Sequence, residues 1–294
     1  MTIGMAFPAW MTEVVSRPIG LGRVFYVRMG ASNNNNGIDP STPFETITYA
    51  IGQCQAGRND YIIVLDAWSE ATPIIINKHR VHVIGFGCDG MPWVTLTEDG
   101  DDDNIFEVGA DFVEIAGFDL GGGGTSAGIA NLGVTWDMIY IHHCNFGSEY
   151  CGDTPLYGIL VGNGAKTWKI DSCKFMGTGI GGGNLTSSGI HVDVGLNHQI
   201  SNCLFVGCVS ASAAINADAT ALSILNNDFV LSTDAAGGAI TLVVTSVRCL
   251  VSNNRAAFGE AQAALANPYV DASLGADANA WVANYWSEAL TPPA

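Results

Sequence analysis

The stretch Ile141-His142-His143-Cys144-Asn145-Phe146 decides the fold, because its pattern returns along the chain. An aliphatic residue, two bend residues, an inward residue, a spacer and an aromatic recur as Ile170-Asp171-Ser172-Cys173-Lys174-Phe175. They recur again as Ile200-Ser201-Asn202-Cys203-Leu204-Phe205 and Ile224-Leu225-Asn226-Asn227-Asp228-Phe229. Weaker copies start at Val83, Ile115 and Val251, so successive starts lie 24 to 32 residues apart. A fixed short period of this kind reads as stacked units of a solenoid.

A second register precedes the first by 9 to 12 residues, anchored on Ile105, Ile129, Ile159, Ile190, Ile215 and Ile240. Within it, Ile190-His191-Val192-Asp193-Val194 alternates apolar and polar residues. Period two buries one face and exposes the other, which is strand behaviour, whereas helical repeats keep a 3.6 period. Two aligned strand registers per repeat predict a right-handed parallel β-helix, all-β, of about seven coils. Stacking at about 4.8 Å turns each position into a column. Cys144, Cys173 and Cys203 then form an interior column continued by Asn227 and Asn254, and Phe146, Phe175, Phe205 and Phe229 form another. Asn202, Asn226 and Asn253 fall at the bend, where asparagine tolerates the left-handed conformation.

Composition agrees with many tight turns. Glycine supplies 36 residues without a collagen period, and charged residues are only 13%. Eight cysteines show no CxxC pair, and the column placement makes the aligned ones buried thiols rather than metal or redox groups. Against 28 acidic residues stand 11 basic ones, for a net charge of −17, which repels phosphate backbones and predicts no nucleic-acid partner. No window reaches the roughly 18 apolar residues of a membrane span. The opening MTIGMAFPAWMTEVVSRPIG lacks a basic region followed by a continuous apolar run, so no signal peptide is expected.

Outside the coils, Thr42-Pro43-Phe44-Glu45 reads as a capping box opening an amphipathic helix near residues 43–54. Its face of Phe44, Ile47 and Ile51 would plug the end of the solenoid. Residues 1–23 fit no coil and read as an arm that docks through Met5, Phe7, Trp10 and Met11. Residues 259–294 turn alanine-rich, with Trp281, Tyr285 and Trp286, and read as a cap or oligomer contact following a β-helix of residues 24–258.

A strand at Val24-Phe25-Tyr26-Val27, an Asn-rich turn, a "PFETI..AI" segment and Ile/Asn/Gly coils together resemble the pectate-lyase-like right-handed parallel β-helix superfamily, and most of all its phage virion-associated members. The resemblance covers residue 24 to about 258. It implies the fold, and it leaves lyases, hydrolases and inert structural proteins open. Since trimers are common among phage β-helix proteins, it also implies a trimer.

Three functions compete. The first is a structural virion protein at the particle surface, a capsid decoration or cement protein docking on a capsid partner through its arm, with no cofactor. The second is a polysaccharide-degrading enzyme in which the outward Asp193 and Asp218 lie side by side next to His191. Carboxylates about 5 Å apart suit a retaining glycosidase, which raises the pKa of one of them. The third is a sugar-binding module with Trp136 or Trp168 as a stacking platform. Asp99, Asp101 and Asp103 lie on a glycine turn that could hold Ca²⁺, but the EF-hand spacing is missing. His142 and His143 are adjacent, hence expected to point apart on a strand. Pectate lyases set a basic residue beside calcium carboxylates; in the register read from sequence none of Lys166, Lys169, Lys174, Arg248 or Arg255 does so. The paired-Asp and His-Gly signature of polygalacturonases is absent as well.

Overall fold

The computed structural model describes residues 22–66, 68–70, 72–86, 94–97, 103–121, 126–133, 135–147, 156–162, 164–176, 185, 187–207, 212–231, 238–258, 268–273, 279–286 and 289–290. Their strands form three sheets of ten, eight and ten strands that wind around one apolar core. The pairings are parallel, save a final antiparallel turn of Ala289–Leu290 onto Tyr285–Trp286. The chain is the parallel β-helix that its repeat predicts.

The repeat builds a corner and not one register. Tyr140–His142 belongs to the first ten-stranded sheet, here sheet I, while Asn145–Phe146 belongs to the other, sheet II. Between them His143 sits at φ 53°, and Ser172, Asn202, Asn226 and Asn253 follow it at 53–57°. Each coil thus runs from the eight-stranded sheet III through sheet I, around this left-handed bend, into sheet II. Seven strands of sheet I are those the repeat marks. The other three hold Val24–Val27, Asp60–Val64 and Ala280–Val282, and the last of these continues the repeat, with Ala283 at the bend at φ 52° and Trp286 in the aromatic column.

The interior columns form as expected. Phe146, Phe175, Phe205 and Phe229 stack at 4.8, 4.6 and 4.8 Å between centroids, within 10° of parallel. The glycines before the sheet III anchors make room for them. A Cβ on Gly128, Gly158 or Gly189 would lie 2.7–2.8 Å from a ring atom of Phe146, Phe175 or Phe205. The described cysteines Cys54, Cys144, Cys173, Cys203 and Cys249 are free and buried. Beyond Cys203 the column is amide. Asn227 Nδ2 donates to Asn254 Oδ1 at 3.0 Å, and Asn254 Nδ2 donates to Asn284 Oδ1 at 2.9 Å.

Three expectations need correction. The sheet III column holds Phe106, paired with Ile129, where the sequence suggests Ile105. Ile105 is buried one position earlier, because the turn ends there with Asn104 Oδ1 accepting from Ala127 N. The helix spans Ile47–Gln53 with Thr46, not Thr42, as its N-cap. Phe44 cannot join it, since its N–H bonds Tyr26 and its carbonyl accepts from Arg28, which pins it extended beside strand Val24–Val27. The Glu70 carboxylate satisfies the first turn instead, accepting from Ile47 N and Thr48 N at 2.8 Å each. Phe44, Ile47 and Ile51 are nonetheless buried, and the helix packs on the first coils as the expected plug. Finally, the described residues after 258 extend the ladder. Trp281 pairs with Val251 and Trp286 with Ala256, so both continue interior columns of their own chain.

Candidate functional site

Period two places Ile62, Val83, Ile115, Ile141 and Ile170 inside sheet I and turns their neighbours outward. One outward column therefore reads Tyr61, His82, Glu114, Tyr140 and Lys169. Glu114 is its hub. Its Oε2 lies 2.6 Å from His82 Nδ1 and its Oε1 2.8 Å from His142 Nε2. A carboxylate only accepts, so both imidazoles donate to it. His142 Nδ1 in turn meets His143 Nδ1 at 2.8 Å, and His82 Nε2 meets Asn59 Oδ1 at 3.0 Å. Tyr61 stacks on His82 and Tyr140 on His142, each at 4.2 Å, and Lys169 Nζ lies 4.7 Å over the Tyr140 ring.

The two adjacent histidines thus meet instead of pointing apart, because the left-handed bend at His143 breaks the strand alternation. Burial by itself would raise the Glu114 carboxyl, but hydrogen bonds and charge from His142 and His82 outweigh it and hold the pKa at about 2. His143 goes the other way, lowered to about 4 by burial and by His142, against the opposing pull of Asp171. His82 and Glu114 were legible in principle. They precede Val83 and Ile115, the starts of two weak repeat copies, and aligning those copies puts both in one column with Tyr140.

Other carboxylates are also saturated by the chain itself. Asp171 accepts from Ser201 Oγ at 2.6 Å, Asn202 Nδ2 at 2.8 Å and Ser172 Oγ at 3.1 Å. Asp60 takes a two-pronged contact from Arg58 at 2.6 and 2.7 Å plus the N–H groups of Arg23 and Gln55. Asp271 accepts from Ser273, Asn279 and Trp281 Nε1. In each, burial pushes the carboxyl up and these donors more than reverse it, so all three sit below the ordinary range. The bonds from Ser201, Asn202 and Arg23 join different coils and act as braces, while those on Asp271 are local.

On sheet III, His191 pairs with Asn216 as expected, and the register then shifts between Val192 and Gly195. Asp193 and Val194 both face Asp218 across this bulge, with Val194 at φ 25°. Asp193 is exposed and Asp218 half-buried. The His191 ring stacks on Tyr157 at 5.0 Å, and burial lowers its pKa against the charge of Asp193.

Sheet II contains the feature that the sequence reading misses. Its outward column runs Lys174, Leu204, Asp228, Arg255 and Tyr285. Arg255 Nε lies 3.0 Å from Asp228 Oδ1, so a basic residue does stand beside a carboxylate there. The pair and Tyr285 border a cavity of about 370 Å³. The stacking platforms fare differently: Trp168 is buried and donates to Trp136 O at 3.0 Å, while Trp136 is half-buried. Met5, Phe7, Trp10, Met11, Asp99 and Asp101 lie outside the described residues, and Asp103 is half-buried. Tyr285 is 42% exposed. Among the described residues no group of three or more His, Cys, Asp or Glu is arranged to hold a metal ion.

No family model and no curated protein matches the chain. Solved structures do. ORF18 of Geobacillus virus E2 is similar at 12% identity and a TM-score of 0.54, over 88% of this chain and 60% of that protein. The chain thus spans less than two thirds of that viral protein's length. An alginate lyase from Paenibacillus sp. str. FPU-7 is similar at 13% identity and a TM-score of 0.53, over 91% of this chain and 96% of the lyase. A pectin methylesterase solved with a hexasaccharide gives 11% identity and a TM-score of 0.53, over 91% and 90%. Identities this low speak for fold alone. Three parallel sheets, the left-handed bend column between sheets I and II and these likenesses give the chain the pectate-lyase-like right-handed parallel β-helix fold.

Proposed function

We propose that the chain is a structural protein of a phage-like virion, a capsid decoration or cement protein that forms a trimer and docks on a capsid partner through residues 1–23. The observation that carries this reading is that five carboxylates among the described residues are engaged by donors of the chain itself. Asp39, Asp60, Glu114, Asp171 and Asp271 are all shifted downward, Asp39 by Ser41 and the others by the donors described above. A glycosidase needs the opposite, one carboxyl raised so that it carries a proton near neutrality. Glu114, Asp171 and Asp60 also tie one coil to the next, which suits a rigid rod. The fold likeness to the Geobacillus virus E2 protein is in keeping with this role.

A polysaccharide-degrading enzyme is the second reading, favoured by the bulge that sets Asp193 against Asp218 beside His191. Turnover separates the two. The full chain is incubated with neutral and uronate polysaccharides, and new reducing ends and unsaturated products are measured. No product is expected from any of them. Cleavage that Asp218→Asn abolishes would replace the structural reading with the enzymatic one.

A further inference from the structure

The turn from sheet III into sheet I forms a second left-handed column, and apart from Asn59 and Asn197 its occupants are unusual for such a turn. Arg80, Phe112, Met138, Thr167, Asn197, Ala221 and Arg248 all have φ between 55° and 60°. The bend between sheets I and II meets the same demand with Asn202, Asn226 and Asn253, residues suited to it. Phenylalanine and methionine are not, and bulky side chains held there mark strain kept for a purpose. Both also project into solvent, Phe112 at 44% and Met138 at 51% exposure. Leu132, Leu196 and Val244, which border the turn, add exposed apolar surface. The Arg80 guanidinium lies 5.3 Å over the Phe112 ring, and His79 meets Trp136 edge-on at 6.2 Å. Aromatics, methionine and arginine are the residues that concentrate at interface centres.

Charge indicates the occupant. Arg80, Lys166 and Arg248 stand exposed on this ridge beside the half-buried Asp111 and Asp137, which leaves it slightly positive on a chain that carries −17 overall. The adjoining outer face of sheet III carries Glu107, Asp193 and Asp218, and no Lys or Arg among its described residues. Its central column runs Glu107, Ala130, Leu160, His191 and Asn216.

We infer that this ridge is the subunit contact of a homo-oligomer: the Phe112–Met138 ridge of one copy seats on the acidic outer face of sheet III of the next. The two surfaces differ, so the contact is heterologous and closes as a ring about an axis along the solenoids. This rests on the assembly reading above and names its surface. It also moves the contact away from Trp281 and Trp286, which their own interior columns use.

Sedimentation velocity on the full chain and on the pair Phe112→Asn/Met138→Asn tests it. Asparagine accepts the left-handed backbone, so the paired variant is expected to melt no lower than the parent. The parent is expected to run as a trimer that weakens with salt, and the variant to self-associate about tenfold or more weakly, running as a monomer. Should the pair fail to fold, Lys166→Glu/Arg248→Glu reads the same contact through charge and is expected to give a monomer. A parent trimer that every one of these variants retains overturns the ridge and leaves the assembly reading standing. A monomeric parent overturns both.

Discussion

Phe175→Ala is expected to lower the unfolding free energy by about 3–5 kcal/mol, the usual cost of emptying a large buried aromatic site. The ring is fully buried and sandwiched between Phe146 at 4.8 Å and Phe205 at 4.6 Å. Neither neighbour can close the gap, because each is itself fixed by the coil that holds it. Gly158 adds to the loss, since that glycine exists to admit the ring and leaves nothing behind to fill the hole. Equilibrium urea unfolding followed by far-UV circular dichroism reads the effect. A midpoint equal to that of the parent would mean that Phe175 is not inside and that the register is wrong.

The second large effect belongs to the amide column. Asn254→Ala is expected to cost about 3–5 kcal/mol, because more than one buried polar group loses its partner and each such loss costs about 1–3 kcal/mol. Asn254 Oδ1 accepts from Asn227 N at 2.9 Å, and its Nδ2 donates to Ile224 O at 3.0 Å and to Asn284 Oδ1 at 2.9 Å. The same midpoint measurement decides it. A shift below about 1 kcal/mol would show that water replaces these bonds and that the column is not dry.

Both sites were legible in the sequence, because a period near one coil brings equivalent residues into register whatever the loops between them do. The Cys-to-Asn column, the phenylalanine stack and the Asn bends all follow from that one pattern. What the pattern could not show is what a corner does. Reading Ile141 to Phe146 as one strand sends His142 and His143 apart, while the bend at His143 brings their rings to 2.8 Å between nitrogens. Two strand registers were legible and the third was hidden inside the repeat itself. The helix start failed for a related reason: Thr42 and Pro43 have the local chemistry of a cap, but a tertiary bond from Phe44 to Tyr26 outweighs it. The Asp228–Arg255 pair follows from the weak Val251 copy, which sets Arg255 on Asp228 as it sets Asn254 on Asn227, but the columns read from the sequence end at Asn254.

For function the sequence contributed less. Asp193 and Asp218 do face each other, yet through a bulge that no alternation announces. The Glu114 hub takes histidines from two other coils, so only an aligned repeat reveals it. Carboxylates tied down in this way are the physical ground for preferring a structural role over a catalytic one.

Composition of intact particles tests that role most directly. Particles assembled from the source genome, carrying either the full chain or the chain lacking residues 1–20, are purified and analysed by mass spectrometry and electron microscopy. The full chain is expected at a fixed copy number on the outer shell, and the shortened chain is expected to fold yet remain in the supernatant. Particles that hold neither form, or both equally, would contradict the decoration role and its docking arm.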